Sequence, residues 1–225
     1  MSDQDLQHDQ PSPTLRSAAS YAATRDWPGY YDAVAGRAPR DTLLQALERF
    51  DRTGLLDASG PPLALDLGAG EGRDTAELLR RGWRVIAYEP HEDGMRRLTT
   101  RSDLCHRERL ETRLDGFESM ALPPASLVNA SFALPFCPPE HFRAAWDEIL
   151  AAIEPGGRFA GQLFGDRDSW AALPDRSHQT REQVQELLGG LKLERFDEEE
   201  RDGGDCTGAA KHWHVFHIIA QKPGT

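Results

Sequence analysis

The run Leu63–Ala64–Leu65–Asp66–Leu67–Gly68–Ala69–Gly70–Glu71–Gly72–Arg73–Asp74 constrains this chain more than any other stretch. A short apolar segment carries an acid near its end, glycines then alternate with other residues, and a charged helical segment follows. The apolar part reads as a buried parallel strand, and the glycines as a tight turn whose backbone approaches a ligand closely. About twenty residues further on, the position at which such folds carry a ribose-binding acid, a second apolar run (Trp83, Val85, Ile86, Ala87, Tyr88) ends in Glu89–Pro90. A carboxylate there accepts hydrogen bonds from both hydroxyls of a ribose. The third glycine of the dinucleotide fingerprint G-x-G-x-x-G would fall at Arg73 and is missing. Gly68, Gly70 and Gly72 instead suit a nucleoside cofactor without a pyrophosphate.

The bulk properties narrow the partners. A chain of 225 residues, 39% of them hydrophobic and 28% charged, accommodates one α/β core with an N-terminal extension. A net charge of −11 argues against nucleic acid, whose phosphates are held by clustered cations. Lys192, Lys211 and Lys222 are the only lysines, and the arginines are spread among acids. No apolar run has the length of a membrane span, and the polar N-terminus lacks the apolar core of a secretion signal. Cys105, Cys137 and Cys206 are odd in number and have no metal-ligand spacing, which fits a reducing cytoplasm.

Residues 1–20 are polar and without periodicity, so they are expected to be disordered. Residues 21–56 read as a helical cap: an aromatic cluster (Trp27, Tyr30, Tyr31), then Arg37, then an amphipathic helix with Leu43, Leu44, Leu47 and Phe50 on one face. The remaining span, 57–225, alternates strands and helices. Helices are expected at Thr75–Arg81, His91–Arg101, Pro138–Ile153 and Arg181–Leu188. Strands are expected at Arg84–Tyr88, Arg107–Leu114, Ser126–Ala133 and Arg158–Phe164, with a turn at Pro155–Gly156–Gly157. Lys192–Arg201 and His212–Gln221 are strands with only the glycine-rich loop Asp202–Ala210 between them. Two strands so joined form a hairpin, so the last strand runs antiparallel to the others. The expected fold is a doubly wound, mostly parallel α/β sheet of seven strands, with a ligand at the carboxyl ends of the parallel strands.

On these residues the chain resembles the class I S-adenosylmethionine-dependent methyltransferases, from about Trp27 to Lys222. Asp66–Gly72 matches the family's first motif and Glu89 its second. Asp115 with Gly116–Phe117 sits where an adenine-contacting acid is common. Asn129–Ala133 matches the fourth motif, with Ser131 and Phe132 in it. Tyr30–Tyr31 with Gly36–Arg37, Gly165–Trp170 and Lys211–Phe216 are similar to the branch that includes tellurite-resistance methyltransferases. The resemblance implies a Rossmann-like fold, S-adenosylmethionine as methyl donor and a small-molecule acceptor. It implies a cofactor site drawn from Asp66, Gly68, Ala69, Gly70, Arg73, Asp74, Glu89, Pro90, Asp115, Gly116, Phe117 and Ser131, with Arg37 as a partner for the cofactor's carboxylate.

For the acceptor, three segments are expected to meet at the cofactor's mouth: Tyr30 and Tyr31; Asp166, Arg167 and Trp170; and Lys211, His212, Trp213 and His214. Phe132 and Phe136 complete its wall. Tyr30 and Tyr31 are expected to surround the sulfonium, because aromatic faces attract cations. His212 or His214 is the expected proton acceptor, since an oxygen or nitrogen nucleophile can need a base near neutral pH. In a straight strand His212 and His214 share one face and His217 takes the other, so the three do not converge on a metal, and no metal site is expected. Asp197–Glu200 reads as a solvated, repulsive strand end. Two other readings stand beside this one: a nicotinamide-dependent oxidoreductase, disfavoured by Arg73, and a non-catalytic S-adenosylmethionine sensor. A sensor would lack a second cavity.

Overall fold

The computed structural model describes residues 25–52, 60–206 and 208–224. The expectation for residues 1–20 therefore lies outside the described residues. So do the ends of the expected cap segment, 21–24 and 53–56.

Among the described residues, eight strands and six α-helices follow one another along the chain. In chain order they are α1 (Trp27–Val34), α2 (Asp41–Asp51), β1 (Leu63–Leu67), α3 (Arg73–Arg80), β2 (Arg84–Tyr88), α4 (Glu92–Thr100), β3 (Leu110–Arg113) and β4 (Ala125–Ala130). Then follow α5 (Pro139–Ala152), β5 (Ile153–Gly165), β6 (His178–Gln179), α6 (Arg181–Leu187), β7 (Lys192–Gly204) and β8 (Ala210–Gln221). The sheet order is β3-β2-β1-β4-β5-β8-β7, and the two-residue β6 pairs with the end of β5. Every pairing is parallel except β5 with β8 and β8 with β7. One reversed strand, β8, thus lies inside an otherwise parallel sheet. The strand not foreseen is β6, too short to carry a periodic signal.

Alternation along the strands distributes the core over both faces. Leu65, Leu67, Val128, Ala130, Phe159 and Leu163 pack with Trp146 and Ile149 of α5 and Val184 of α6. Ala64, Val85, Ala87, Leu127 and Ile219 face the other way, against Leu43, Leu47 and Phe50 of α2, Leu78 and Leu79 of α3, and Leu98 of α4. Each such side chain fully withdrawn from water contributes about 1.5–3 kcal/mol before entropy is counted. The helical spacing of Leu43, Leu47 and Phe50 therefore fastens α2 to the sheet. α1 lies at the strand ends. Asp26 caps it by accepting from the Gly29 N–H at 3.0 Å, and Arg97 of α4 ties down Asp32 at 2.7 Å.

Two local departures have physical reasons. Pro155–Gly156–Gly157 forms a bulge within β5 rather than a turn before it, with a register break opposite Ala125–Leu127. Gly156 stays in the sheet because its N–H donates to the Lys222 carbonyl at 2.9 Å. The β7–β8 hairpin is longer than expected, with its loop confined to residues 205–209. Its acidic run is not a repulsive strand end. Glu198 pairs with Arg167, Arg181 and His214; Glu199 pairs with Arg201 and His217; Glu200 pairs with Arg167 and His212. Arg167 and Arg181 from other segments, and Arg201 of β7 itself, supply opposite charge to the run.

Candidate active site

The sheet order reverses between β1 and β4, and a crevice opens at the carboxyl ends of those strands, the usual ligand position in such folds. Three glycines build its floor. Gly68, Gly70 and Gly72 have φ of +66°, +58° and +85°, a region costly for residues with a Cβ. Their missing side chains make room for the protein itself. A Cβ on Gly68 would stand 2.5 Å from the Ala133 Cβ, one on Gly72 2.6 Å from Leu98, and one on Gly70 3.3 Å from the Tyr31 ring. Gly68 and Gly72 thus also meet packing requirements, while Gly68 and Gly70 line the cavity as a close ligand approach would need.

Beneath the turn lies a buried acidic cluster. Asp66 is 2% exposed; it accepts from the Thr75 hydroxyl at 2.6 Å and from the Asn129 amide at 2.9 Å. Asp74 accepts from the same amide at 3.2 Å and from the Arg40 N–H at 2.9 Å. Burial, and then the neighbouring Asp74 carboxylate, hold the Asp66 carboxyl well above the ordinary range. Burial likewise raises Glu71. Neither Asp66 nor Asp74 reaches a cavity wall; both brace the loop.

Glu89 projects from the end of β2 into a cavity of about 300 Å³. One carboxylate oxygen accepts from the Gly70 N–H at 2.8 Å, the other from the His91 N–H at 2.8 Å and the Tyr31 hydroxyl at 3.2 Å. Burial raises its pKa above the usual range. The cavity wall includes Gly68, Gly70, Pro90, Gly116, Phe117 and Ser131 among the expected cofactor residues, together with His91 and Glu118, which were not expected. Asp115 is half-buried and off the wall. Ala69 is buried in the turn, and Arg73 begins α3; neither lines the cavity.

A second cavity, about 210 Å³, adjoins the first. Trp27, Tyr30, Phe132 and Phe136 line both, so the two cavities share an aromatic wall. Phe164, Trp170 and Trp213 complete the second box, and Arg37, Arg40, Glu199, Arg201 and Cys206 reach its wall. Phe132 has φ of +54°, a strained value for a bulky residue. Its N–H is held by the Gln162 side chain at 3.0 Å, and the Arg40 guanidinium lies 4.3 Å from its ring centre.

Several expected acceptor residues lie elsewhere. Trp213 and Val215 of β8 face the cavity, so His212 and His214 face away. His214 is fully buried, accepting the Arg167 N–H at 3.1 Å on one ring nitrogen and meeting Glu198 at 2.9 Å on the other. His212 lies between Asp202 at 2.8 Å and Glu200 at 3.2 Å, which raise its pKa and favour the protonated ring, the form that cannot take up a proton. Asp166 and Arg167 sit beside this cluster, away from the box; of their segment only Trp170 lines it. Lys211 is buried beneath Trp170 and Trp213 and paired with Asp168. Tyr31 lines only the first cavity, and burial beside Glu89 keeps its hydroxyl protonated. Arg37 is exposed at the second cavity, away from the first.

Arg40, Trp27 and Glu199 complete the picture. Arg40 lies one residue before α2 with nothing in its surroundings to mark it. Trp27 reads from the sequence either as gluing the cap to the core or, with Tyr30 and Tyr31, as walling off water around the sulfonium. Glu199 was masked by its run of acids. The one signal available for β8 was the apolar pair Trp213 and Val215, which faces the box.

Residues 64–157 match the family model described as a methyltransferase domain. The chain is 32% identical over 138 residues to carboxy-S-adenosyl-L-methionine synthase of Pseudomonas putida, covering 57% of this chain and 51% of that protein. It thus spans about half the length of the curated relative it matches. Among solved structures, TehB from Haemophilus influenzae superposes with a TM-score of 0.65 at 15% identity, over 87% of this chain and 67% of that one. The 1,6-didemethyltoxoflavin-N1-methyltransferase of Burkholderia thailandensis, solved with its namesake compound and S-adenosylhomocysteine, gives 0.60 at 21% identity, over 91% and 84%. These likenesses establish the fold.

Proposed function

We propose that the chain is a class I, S-adenosylmethionine-dependent methyltransferase, as the match of residues 64–157 to a methyltransferase domain supports, and that it transfers a methyl group from S-adenosylmethionine to a small-molecule acceptor held in the aromatic box. The observation that carries this reading is the pair of adjoining cavities with one shared aromatic wall. A sensor of the cofactor needs only the first. The dinucleotide fingerprint of an oxidoreductase needs a third glycine where Arg73 begins α3.

Glu89 would accept from the ribose hydroxyls, Phe117 would flank the adenine, and Ser131 would lie along the chain leading to the sulfur. Arg37 and Arg40, both on the wall of the second cavity, are the candidate cations for the cofactor's carboxylate in this reading. The Arg40 Nε is buried with no hydrogen-bond partner among the described residues, and Asp74 holds the Arg40 backbone beside the glycine turn. When bound, S-adenosylmethionine supplies an electrophilic methyl group on a positively charged sulfur. Trp27, Tyr30, Phe132 and Phe136 exclude water at the join and present ring faces to that charge. Alignment across the join then supplies much of the rate.

Among the described residues, no histidine lines the acceptor cavity. Glu199 is bound to Arg201 and His217, and these partners hold its carboxyl below the usual range. The residues present therefore suit an acceptor that arrives with its lone pair available. Helices α1 and α2 act as the cap in this proposal, and the place of action is the cytoplasm. The test is release of S-adenosylhomocysteine from S-adenosylmethionine on addition of fractionated small metabolites. Acceptor-dependent release with a mass gain of one methylene on a metabolite supports the reading; absence of release with every fraction, together with no binding of S-adenosylhomocysteine, overturns it.

A further inference from the structure

Lys211 is 4% exposed, an uncommon state for an ammonium group. By alternation it shares the box-facing side of β8 with Trp213 and Val215. Its Nζ donates to the buried Asp168 carboxylate. The same Nζ lies 4.1 Å from the centre of the Trp213 ring, 4.2 Å from that of Trp170 and 5.0 Å from that of Phe164, all three of which line the box. Asp168 extends the arrangement. The ladder between β5 and β8 ends at the pair Phe164–Val215, and the N–H of the preceding residue, His214, goes to the second Asp168 oxygen at 3.1 Å. The first oxygen also accepts the Trp170 N–H at 2.9 Å, and the Ser169 hydroxyl donates to the His212 carbonyl at 3.2 Å. One buried ion pair thus takes over where the hydrogen bonds between β5 and β8 stop. It joins the two segments that bring Trp170 and Trp213 to the cavity.

We propose that Lys211, held by Asp168, is a positioning residue for the acceptor: it turns the faces of Trp170 and Trp213 toward itself and so sets the shape of the box. The role rests on the methyltransferase reading, which puts the acceptor in this box. Lys211 is off the wall of both cavities, so it acts through the rings. A ring packed only by apolar neighbours has no preferred face toward them, whereas a desolvated ammonium is drawn to the negative face of the ring. Two indoles that share one ammonium are thereby held at a fixed tilt, 52° between planes at 5.8 Å between centres. Stability alone does not call for such a pair, because apolar residues of similar volume often serve a core as well. A methionine of similar length fills the space and lacks the directing charge. Phe164, Trp170 and Trp213 are absent from the wall of the first cavity, so the cofactor site does not depend on this pair.

The test joins a spectroscopic signature to a kinetic one, on the full chain. Two indoles this close give a coupled circular-dichroism band whose sign and size follow their mutual tilt; it is the part of the spectrum that Trp213→Phe removes. Lys211→Met is compared with Lys211→Met/Asp168→Asn, which leaves no lone buried carboxylate and guards against a failure to fold. In a folded variant the coupled band should be lost while calorimetry gives S-adenosylhomocysteine affinity within about threefold of the wild type. With the metabolite fraction that supports release, the amount needed for half-maximal rate should rise about tenfold or more, and the KM for S-adenosylmethionine should stay within about threefold. A coupled band that survives in both variants overturns the proposal. So does an unchanged half-maximal amount, or a parallel loss of S-adenosylhomocysteine binding, the mark of a pair that only supports the fold. The two readings fail separately: if the wild type releases S-adenosylhomocysteine with no fraction and does not bind it, the methyltransferase reading falls, and the coupled band alone decides whether Lys211 sets the wall.

Discussion

Replacing Glu89 by glutamine removes one charge from a group that the structure uses twice. The carboxylate braces the glycine turn, accepting from Gly70, His91 and Tyr31, and it faces the cavity assigned to the nucleoside. An amide has one acceptor oxygen. If that oxygen keeps the Gly70 N–H, the NH2 group meets the His91 N–H and the Tyr31 hydroxyl; if it turns over, it meets Gly70. One backbone donor is left opposed to another donor, a cost of about 1–3 kcal/mol in folding stability. The ribose loses a charge-assisted acceptor, which is worth about 1.5–3 kcal/mol, so the dissociation constant should rise about ten- to a hundredfold. Calorimetry with S-adenosylhomocysteine measures the second effect and urea unfolding the first. A folded Glu89→Gln protein with affinity within about twofold of the wild type, where roughly tenfold or more is expected, would refute the ribose assignment.

Other predictions follow the same geometry. Gly72→Ala places a Cβ 2.6 Å from Leu98 at a φ of +85°, so it should destabilise the fold by about 1–3 kcal/mol in urea unfolding; an unchanged midpoint would show that the turn relaxes freely. Asp66 has its pKa raised by burial and by Asp74, so the native state holds a proton that the unfolded chain releases; this contribution to stability is present below the ordinary carboxylate range and lost as pH rises towards neutrality. Asp66→Asn should flatten that part of the pH profile, and an identical slope in the variant would contradict the assignment. His212→Ala should leave turnover within about threefold, whereas loss of a true general base costs about a hundredfold or more. Tyr31→Phe removes only the bond to Glu89, so cofactor affinity should stay within about threefold and stability should fall by about 0.5–1.5 kcal/mol. A hundredfold loss of turnover in it would restore Tyr31 to the chemistry.

What the sequence reveals and what it hides divide along physical lines. β1, its glycine turn and Glu89 were legible because strand-end acids and positive-φ glycines are local requirements, written where they act. β8 was legible as a reversed strand because a short loop leaves no room for a crossover. Its orientation was not. Alternation places His212 and His214 on the face opposite Trp213 and His217, but which face meets the cavity depends on the pairing of β8 with β5. Choosing the histidine face put the base on the wrong side. The strand β7 was legible over Lys192–Arg201, but the pairing of its acidic run was not: Glu198, Glu199 and Glu200 look repulsive until Arg167, Arg181 and three histidines from other segments, with Arg201 of β7 itself, are brought against them. Arg40 carries no sequence mark because its place against Phe132 arises only when the wall is assembled.

The central claim is that the nucleoside and the acceptor occupy two cavities that meet at Trp27, Tyr30, Phe132 and Phe136. A crystal structure of the chain with S-adenosylhomocysteine tests it most directly. The account predicts ribose hydroxyls on Glu89, the adenine against Phe117, the thioether sulfur beside the four shared aromatic side chains, and the box beyond it free of any part of the ligand. An adenine seated between Trp170 and Trp213, or a ribose away from Glu89, would contradict it.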